Sequence, residues 1–180
     1  MTRAVAAALV VTSAAFARPV FAVEREQQLG ADLGGSMLIV SGKNAPDVGG
    51  VAGVHWTYGI SDALNLMAEA DWSLVALRET GTPPIRPSWA ANADIGVGYV
   101  FDVLRWVPYA GVLVGGYDLS GGTIPGTKVL VGAAIALGCD YRFGRSLAAG
   151  IALRQHMLSD ASTYPSFTQA FARVEYTWGW

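Results

Sequence analysis

Charge is scarce in this chain. Asp, Glu, Lys and Arg make up 14% of its 180 residues, whereas a soluble domain carries about 25%. Much of the folded surface is therefore expected to face something other than water. Long apolar runs are scarce as well. Beyond the N-terminal region no stretch approaches the ~20 residues of a membrane-crossing helix, which excludes a helical membrane bundle. Cys139 is the only cysteine, so no intrachain disulfide is possible. No Cys/His cluster has metal-ligand spacing, and no cofactor is expected. Lysine is confined to Lys43 and Lys128, which leaves no basic face for nucleic acid.

What is present starts with a leader. Arg3 supplies a positive charge, Ala4 to Ala17 is apolar but too short to span comfortably, and Val20-Phe21-Ala22 offers a cleavage site before Val23-Glu24-Arg25-Glu26. Residues 1–22 are read as a cleaved signal peptide and residues 23–180 as one domain. Cleavage after Ala17 and an uncleaved anchor helix are the alternatives. Removing residues 1–22 takes two of the 12 basic residues and none of the 14 acids, so the net charge moves from −2 to −4. The 22 glycines speak against long helices.

After residue 26 the pattern has a period of two, as in a strand whose side chains alternate between faces. Ala63–Val75 places Leu64, Leu66, Ala68, Ala70, Trp72 and Leu74 on one face and Asn65, Met67, Glu69, Asp71 and Ser73 on the other. Lys128–Phe143 alternates over 16 residues, with Val129, Val131, Ile135, Leu137 and Cys139 opposite Gly132, Ala134, Ala136, Gly138, Asp140 and Arg142. A globular strand has about 5–6 residues, so this length suits a tilted membrane crossing. Gln27–Val40, Gly50–Tyr58, Trp89–Phe101, Leu147–Leu158 and Ser166–Trp180 repeat the pattern. Trp106–Leu119 completes eight; its alternation is ambiguous, and Val107, Tyr109, Leu113 and Tyr117 are assigned outward.

The connections alternate in length, as in outer-membrane barrels. Gly59–Asp62, Asp102–Arg105 and Gly144–Ser146 are short; Ser41–Val48, Leu77–Ser88, Ser120–Thr127 and Ser159–Pro165 are longer. Proline, which lacks a ladder donor, falls in the longer loops at Pro46, Pro83, Pro84, Pro87, Pro125 and Pro165, and only Pro108 falls in a strand. A sheet survives in lipid only if it closes on itself. The expected fold is an all-β, eight-stranded antiparallel transmembrane β-barrel, an up-and-down meander, with apolar side chains outside and the short turns at the periplasmic end.

Aromatic residues gather at that end. Trp56, Tyr58, Tyr99, Phe101, Trp106, Tyr109, Tyr141, Phe143, Tyr176, Trp178 and Trp180 read as one interfacial girdle, and Trp72, Trp89 and Tyr117 as part of an outer one. The interior is expected to hold Asp32, Glu69, Asp71, Asp94, Asp140, Arg142, Arg154, His156, Arg173 and Glu175 as a charge network. Candidate pairs are Arg142 with Glu175, Arg154 with Asp140 or Glu175, and Arg173 with Asp32 or Glu69. Gly96, Gly98, Gly132, Ala134, Ala136 and Gly138 leave room on one side of the lumen, to be filled by the arginines or by water.

The ending Val174-Glu175-Tyr176-Thr177-Trp178-Gly179-Trp180, the turn Tyr58-Gly59-Ile60-Ser61-Asp62 and the segment Arg105-Trp106-Val107-Pro108-Tyr109 resemble the small outer-membrane barrel proteins of the OmpA/OmpX type. The resemblance covers about residues 27–180. It implies an outer-membrane location, a monomer among outer-membrane lipids, and a C-terminal aromatic signal read by the barrel-assembly machinery, with periplasmic chaperones assisting. Phenylalanine is the commoner last residue, so Trp180 departs from the pattern. No periplasmic domain is expected to follow the barrel.

The resulting expectation is a non-enzymatic barrel with a polar, salt-bridged lumen, serving membrane integrity or surface interaction. A narrow porin-like channel is the alternative. A lipid A-modifying enzyme is a third reading, which would need a serine and a histidine base. His156, Ser159 and Asp160 lie together near the outer rim, but Arg154-Gln155-His156-Met157-Leu158-Ser159 does not match the motifs of such enzymes closely, and no catalytic residue is assigned. Gly96-Val97-Gly98 is no dinucleotide loop, since no helix follows it. The segment Arg78 to Pro87 is a candidate for surface contact.

Overall fold

The computed structural model describes residues 25–42, 46–75, 86–101, 103 and 105–179. Eight strands follow one another: β1 (Gln27–Ile39), β2 (Asp47–Gly59), β3 (Leu64–Val75), β4 (Trp89–Val100), β5 (Trp106–Ser120), β6 (Thr127–Arg142), β7 (Leu147–Leu158) and β8 (Ser166–Trp178). Each pairs antiparallel with the next, and β8 returns to β1, so the sheet is a closed barrel in sequence order. The closing seam runs from Gln27 opposite Trp178 to Ile39 opposite Ser166. Closure gives every strand two ladder partners, which is what a sheet surrounded by hydrocarbon requires.

The alternation sorts side chains by face. Leu33 and Val129 are 70% and 72% exposed, and Leu64, Leu137, Ile151 and Val174 also face outward. Their neighbours in sequence point into the lumen, where Asp32, Glu69, Asp71, Asp94, Asp140, Arg173 and Glu175 are buried. This inverts a water-soluble protein, with polar groups inside and apolar groups outside. Eight strands enclose an interior that side chains can fill.

One strand faces opposite to expectation. Val107, Tyr109, Leu113 and Tyr117 of β5 are buried inside, while Trp106, Val112 and Val114 face outward. Both faces of β5 are apolar, so its alternation alone carries no sign. The neighbouring strand decides it. Gly132, Ala134, Ala136 and Gly138 of β6 line the lumen without bulk, and the side chains of β5 occupy that space. A methyl group on Gly138 would lie 2.4 Å from the Tyr109 ring, and one on Gly132 would lie 2.9 Å from Tyr117. Tyr109 and Tyr117 therefore leave the two girdles, and the room expected for arginine or water holds β5 side chains.

The girdle near the short turns keeps Trp56 stacked with Tyr58, Tyr99 against Phe101, Trp106 and Phe143 each against Tyr141, and Tyr176 stacked with Trp178. Trp180, the proposed signal peptide and Arg78 to Ile85 lie outside the described residues.

Candidate functional site

The lumen is layered along its axis. At the long-loop end Leu38, Val40, Ala90, Leu119, Leu158, Tyr164 and Phe167 form an apolar cluster. Beside it the buried Arg86 guanidinium is paired with Asp47; Thr123 N–H donates to the Arg86 carbonyl, and Arg86 N–H donates to Thr123 Oγ1.

A chain of polar groups lies beneath. Asn92 Nδ2 donates to Asp71 at 3.1 Å and to Asp94 at 2.7 Å. Its carbonyl oxygen accepts from Gln169 Nε2 at 3.3 Å, which leaves Gln169 Oε1 facing His156 Nε2 at 2.8 Å. The other nitrogen of His156 lies 2.9 Å from the Tyr117 hydroxyl, which donates to Asp94 at 2.8 Å. His156 is thus engaged at both nitrogens by residues of the lumen. Ser159 is exposed, and its backbone N–H donates to Val131. Among the described residues His156 is paired with Tyr117 and Gln169 and not with Ser159.

Arg154 occupies the middle. It is 1% exposed, and it reaches from β7 across the lumen rather than to its neighbours. Its guanidinium meets Asp32 of β1 at 2.7 Å, and Glu69 and Asp71 of β3 at 2.8 and 2.9 Å. The Phe171 ring lies beneath it, with 4.4 Å from guanidinium carbon to ring centroid. A buried guanidinium without partners is costly, and three carboxylates offset that cost. The expected partners Asp140 and Glu175 are instead taken by Arg173, which contacts Glu175 closely and lies 3.5 Å from Asp140. Arg173 keeps only a long 3.9 Å approach to Asp32, donates to the Tyr109 hydroxyl and stacks over the Tyr109 ring. Arg142 pairs with Glu26 at 2.9 Å instead of the expected Glu175.

Toward the short turns the interior opens. Gln28, Thr57, Asn65, Tyr109, Asp140 and Arg142 are among the residues lining a small cavity of ≈ 40 Å³ that opens toward this end. The cavity ends at Arg173 and Glu175. Among the described residues the lumen is thus lined by polar groups around a small cavity at one end and by apolar side chains at the other.

His55, Tyr109, Tyr117 and Glu26 belong to this interior but were not among the residues expected in the network. The small residues along one face of β6 were the available signal for the two tyrosines. On the long-loop surface, Asp160 accepts hydrogen bonds from Lys128, Ser162 and Thr163, which hold its carboxyl well below the usual aspartate range. Among the described residues no group of three or more His, Cys, Asp or Glu side chains is arranged to hold a metal ion.

Comparison with solved structures places this architecture. Neisserial surface protein A is 14% identical, with 83% of this chain and 96% of that chain covered and a TM-score of 0.64. The N-terminal β-barrel domain of OprF from Pseudomonas aeruginosa is 12% identical over 86% and 98% of the two chains, with a TM-score of 0.62. The attachment invasion locus protein Ail of Yersinia pestis is 11% identical over 87% and 100%, with a TM-score of 0.55. The fold is that of the small bacterial outer-membrane barrels. The apolar exterior and aromatic girdle suit the lipid core and interface of that membrane. No protein-family model matches the chain, and no curated protein sequence matches it.

Proposed function

We propose that the chain is a non-enzymatic outer-membrane barrel whose lumen is a closed, salt-bridged plug, and that it serves membrane integrity or surface interaction. The observation that carries this reading is Arg154, held across the middle of the lumen by carboxylates of β1 and β3. The apolar cluster at the long-loop end adds a second barrier. An ion would have to part both layers to pass. His156, fully engaged by Tyr117 and Gln169, supports a structural role for the residue that an enzyme would use as base.

On this reading residues 1–22 are removed on export. The partners are outer-membrane lipids, with the assembly machinery and chaperones acting during biogenesis; the barrel works as a monomer and does not bind nucleic acid. Tyr58, Tyr99, Trp106, Tyr141, Tyr176, Trp178 and Trp180 supply the girdle and the C-terminal assembly signal.

The test is conductance of the purified barrel in planar lipid bilayers. The expected result is a bare-membrane baseline. Large, stable single-channel steps would overturn the plugged reading and favour a narrow channel, for which the small cavity at the short-turn end would be the mouth.

A further inference from the structure

His55 was not needed for the sealed lumen, yet its placement is unusual. Gly30 of β1 has His55 of β2 as its register partner on one side and Glu175 of β8 on the other. These three residues form one row across the seam where the two terminal strands close the barrel. Strands lie ~4.8 Å apart, so the backbones of His55 and Glu175 are about two spacings apart. The imidazole bridges that distance by passing over Gly30. A Cβ on Gly30 would lie 2.2 Å from His55 Cε1 and 2.4 Å from Nε2. Only a residue without a side chain leaves the crossing open.

Both ring nitrogens end on carboxylates. Nε2 is hydrogen-bonded to Glu175 Oε1 at 2.9 Å, and Nδ1 lies 2.9 Å from Asp32 Oδ1 as an ion-pair contact without hydrogen-bond alignment. A neutral imidazole carries one N–H and one bare lone pair, so it would turn that lone pair toward one of the two acids. The imidazolium has an N–H for each. The groups facing it are Asp32 on its own side of the seam, Glu175 and Arg173 of β8, Glu69 of β3 in the adjoining register position, Asp140 of β6 and Arg154 of β7. Asp32 and Glu175 touch the ring itself, and Arg173 approaches both of them. Glu175 also lines the small cavity at the short-turn end.

We propose that His55, as the imidazolium, is the latch of the barrel seam: its charge ties β2 to β1 through the ion pair with Asp32 and to β8 through the hydrogen bond with Glu175. This goes beyond the sealed-lumen reading, because the latch holds whether or not the barrel conducts. The folded barrel then holds a proton at His55 that the unfolded chain gives up above about pH 6.5, so stability falls as the pH rises.

The decisive measurement is nitrogen NMR of the full chain, labelled at histidine and folded in detergent micelles at about pH 7.5. The chain has only two histidines, and H156Q assigns the spectrum. Two protonated ring nitrogens at His55 are expected. A neutral single tautomer there would overturn the proposal, and this test needs no change at the seam. Unfolding rates in denaturant supply the second arm. Wild type should unfold about tenfold faster at pH 8.5 than at pH 6.5, while H55Q and G30A should lose that dependence and unfold fast throughout. H55Q or G30A unfolding with wild-type rates and pH profile would equally sink the latch. Should either variant fail to fold, the wild-type spectrum decides.

Discussion

The two walls of the lumen solve the same problem in different ways. On one side β1, β3, β7 and β8 contribute Asp32, Glu69, Asp71, Arg154, Arg173 and Glu175, and the interior is held by ion pairs reaching between strands. On the other, the middle of β6 presents only Gly132, Ala134, Ala136 and Gly138, and Tyr109, Leu113 and Tyr117 of β5 fill the space by shape. A charge needs a partner of opposite sign within reach and is expensive alone. An aromatic ring needs only a vacancy of the right size. The charged wall should therefore fail by losing a partner, and the uncharged wall by losing room.

The largest effect is expected on the charged wall. R154M leaves Asp32, Glu69 and Asp71 facing one another without their guanidinium, and should cost about 3–5 kcal/mol. Denaturant unfolding in micelles, followed by tryptophan fluorescence, would measure it. Adding E69Q should recover part of the loss; no recovery would mean that the cost lies in packing against Phe171 rather than in charge. Next comes the uncharged wall. G138A drives a methyl group into the Tyr109 ring and should cost about 1–3 kcal/mol. Y109L in the same chain should relieve it, and the double-mutant cycle tests whether the two residues are coupled. Smaller still is Y117F, which removes the hydroxyl between Asp94 and His156. About 1 kcal/mol is expected for that hydrogen bond, because the ring still fills the space beside Gly132.

The smallest effect lies outside both walls. Asp160 is held below the ordinary aspartate range by its hydrogen bonds. Its contribution is therefore present above about pH 4 and is lost as the pH falls through the lowered value. D160N should speed amide exchange at Thr163, whose N–H donates to the Asp160 carboxylate, and leave global unfolding unchanged. A shift in global unfolding would show that the loop reaches into the apolar seal through Tyr164.

Most strands were legible because lipid and lumen demand opposite residues. On β3, Leu64, Leu66, Trp72 and Leu74 alternate with Asn65, Glu69, Asp71 and Ser73, and only one facing fits both surroundings. On β5 both faces are apolar, and a period of two without a polar face gives spacing but no direction. The information was one strand away, in the small residues of β6, and it becomes readable only when antiparallel neighbours are considered together. The ion pairs were less legible. Arg154 was expected to reach Asp140 on the neighbouring β6 or Glu175 on the neighbouring β8, and it crosses the lumen to β1 and β3 instead. Such a choice depends on the width of the closed barrel and on strand stagger, neither of which has a local signature. His55 gave no signal of its own, because its crossing over Gly30 to Glu175 needs the β1–β8 pairing, which joins residues from opposite ends of the chain.

Alternation, loop lengths, proline placement and the scarcity of charge determined by themselves that this chain makes eight strands with an apolar outside and a polar inside. These are local properties, repeated along the chain, and a period of two exposes them. Tertiary structure alone decided which carboxylates share Arg154, why the tyrosines of β5 turn inward and how an imidazole comes to span the seam. Those outcomes depend on distances between strands far apart in sequence, and the distances exist only once the sheet has closed.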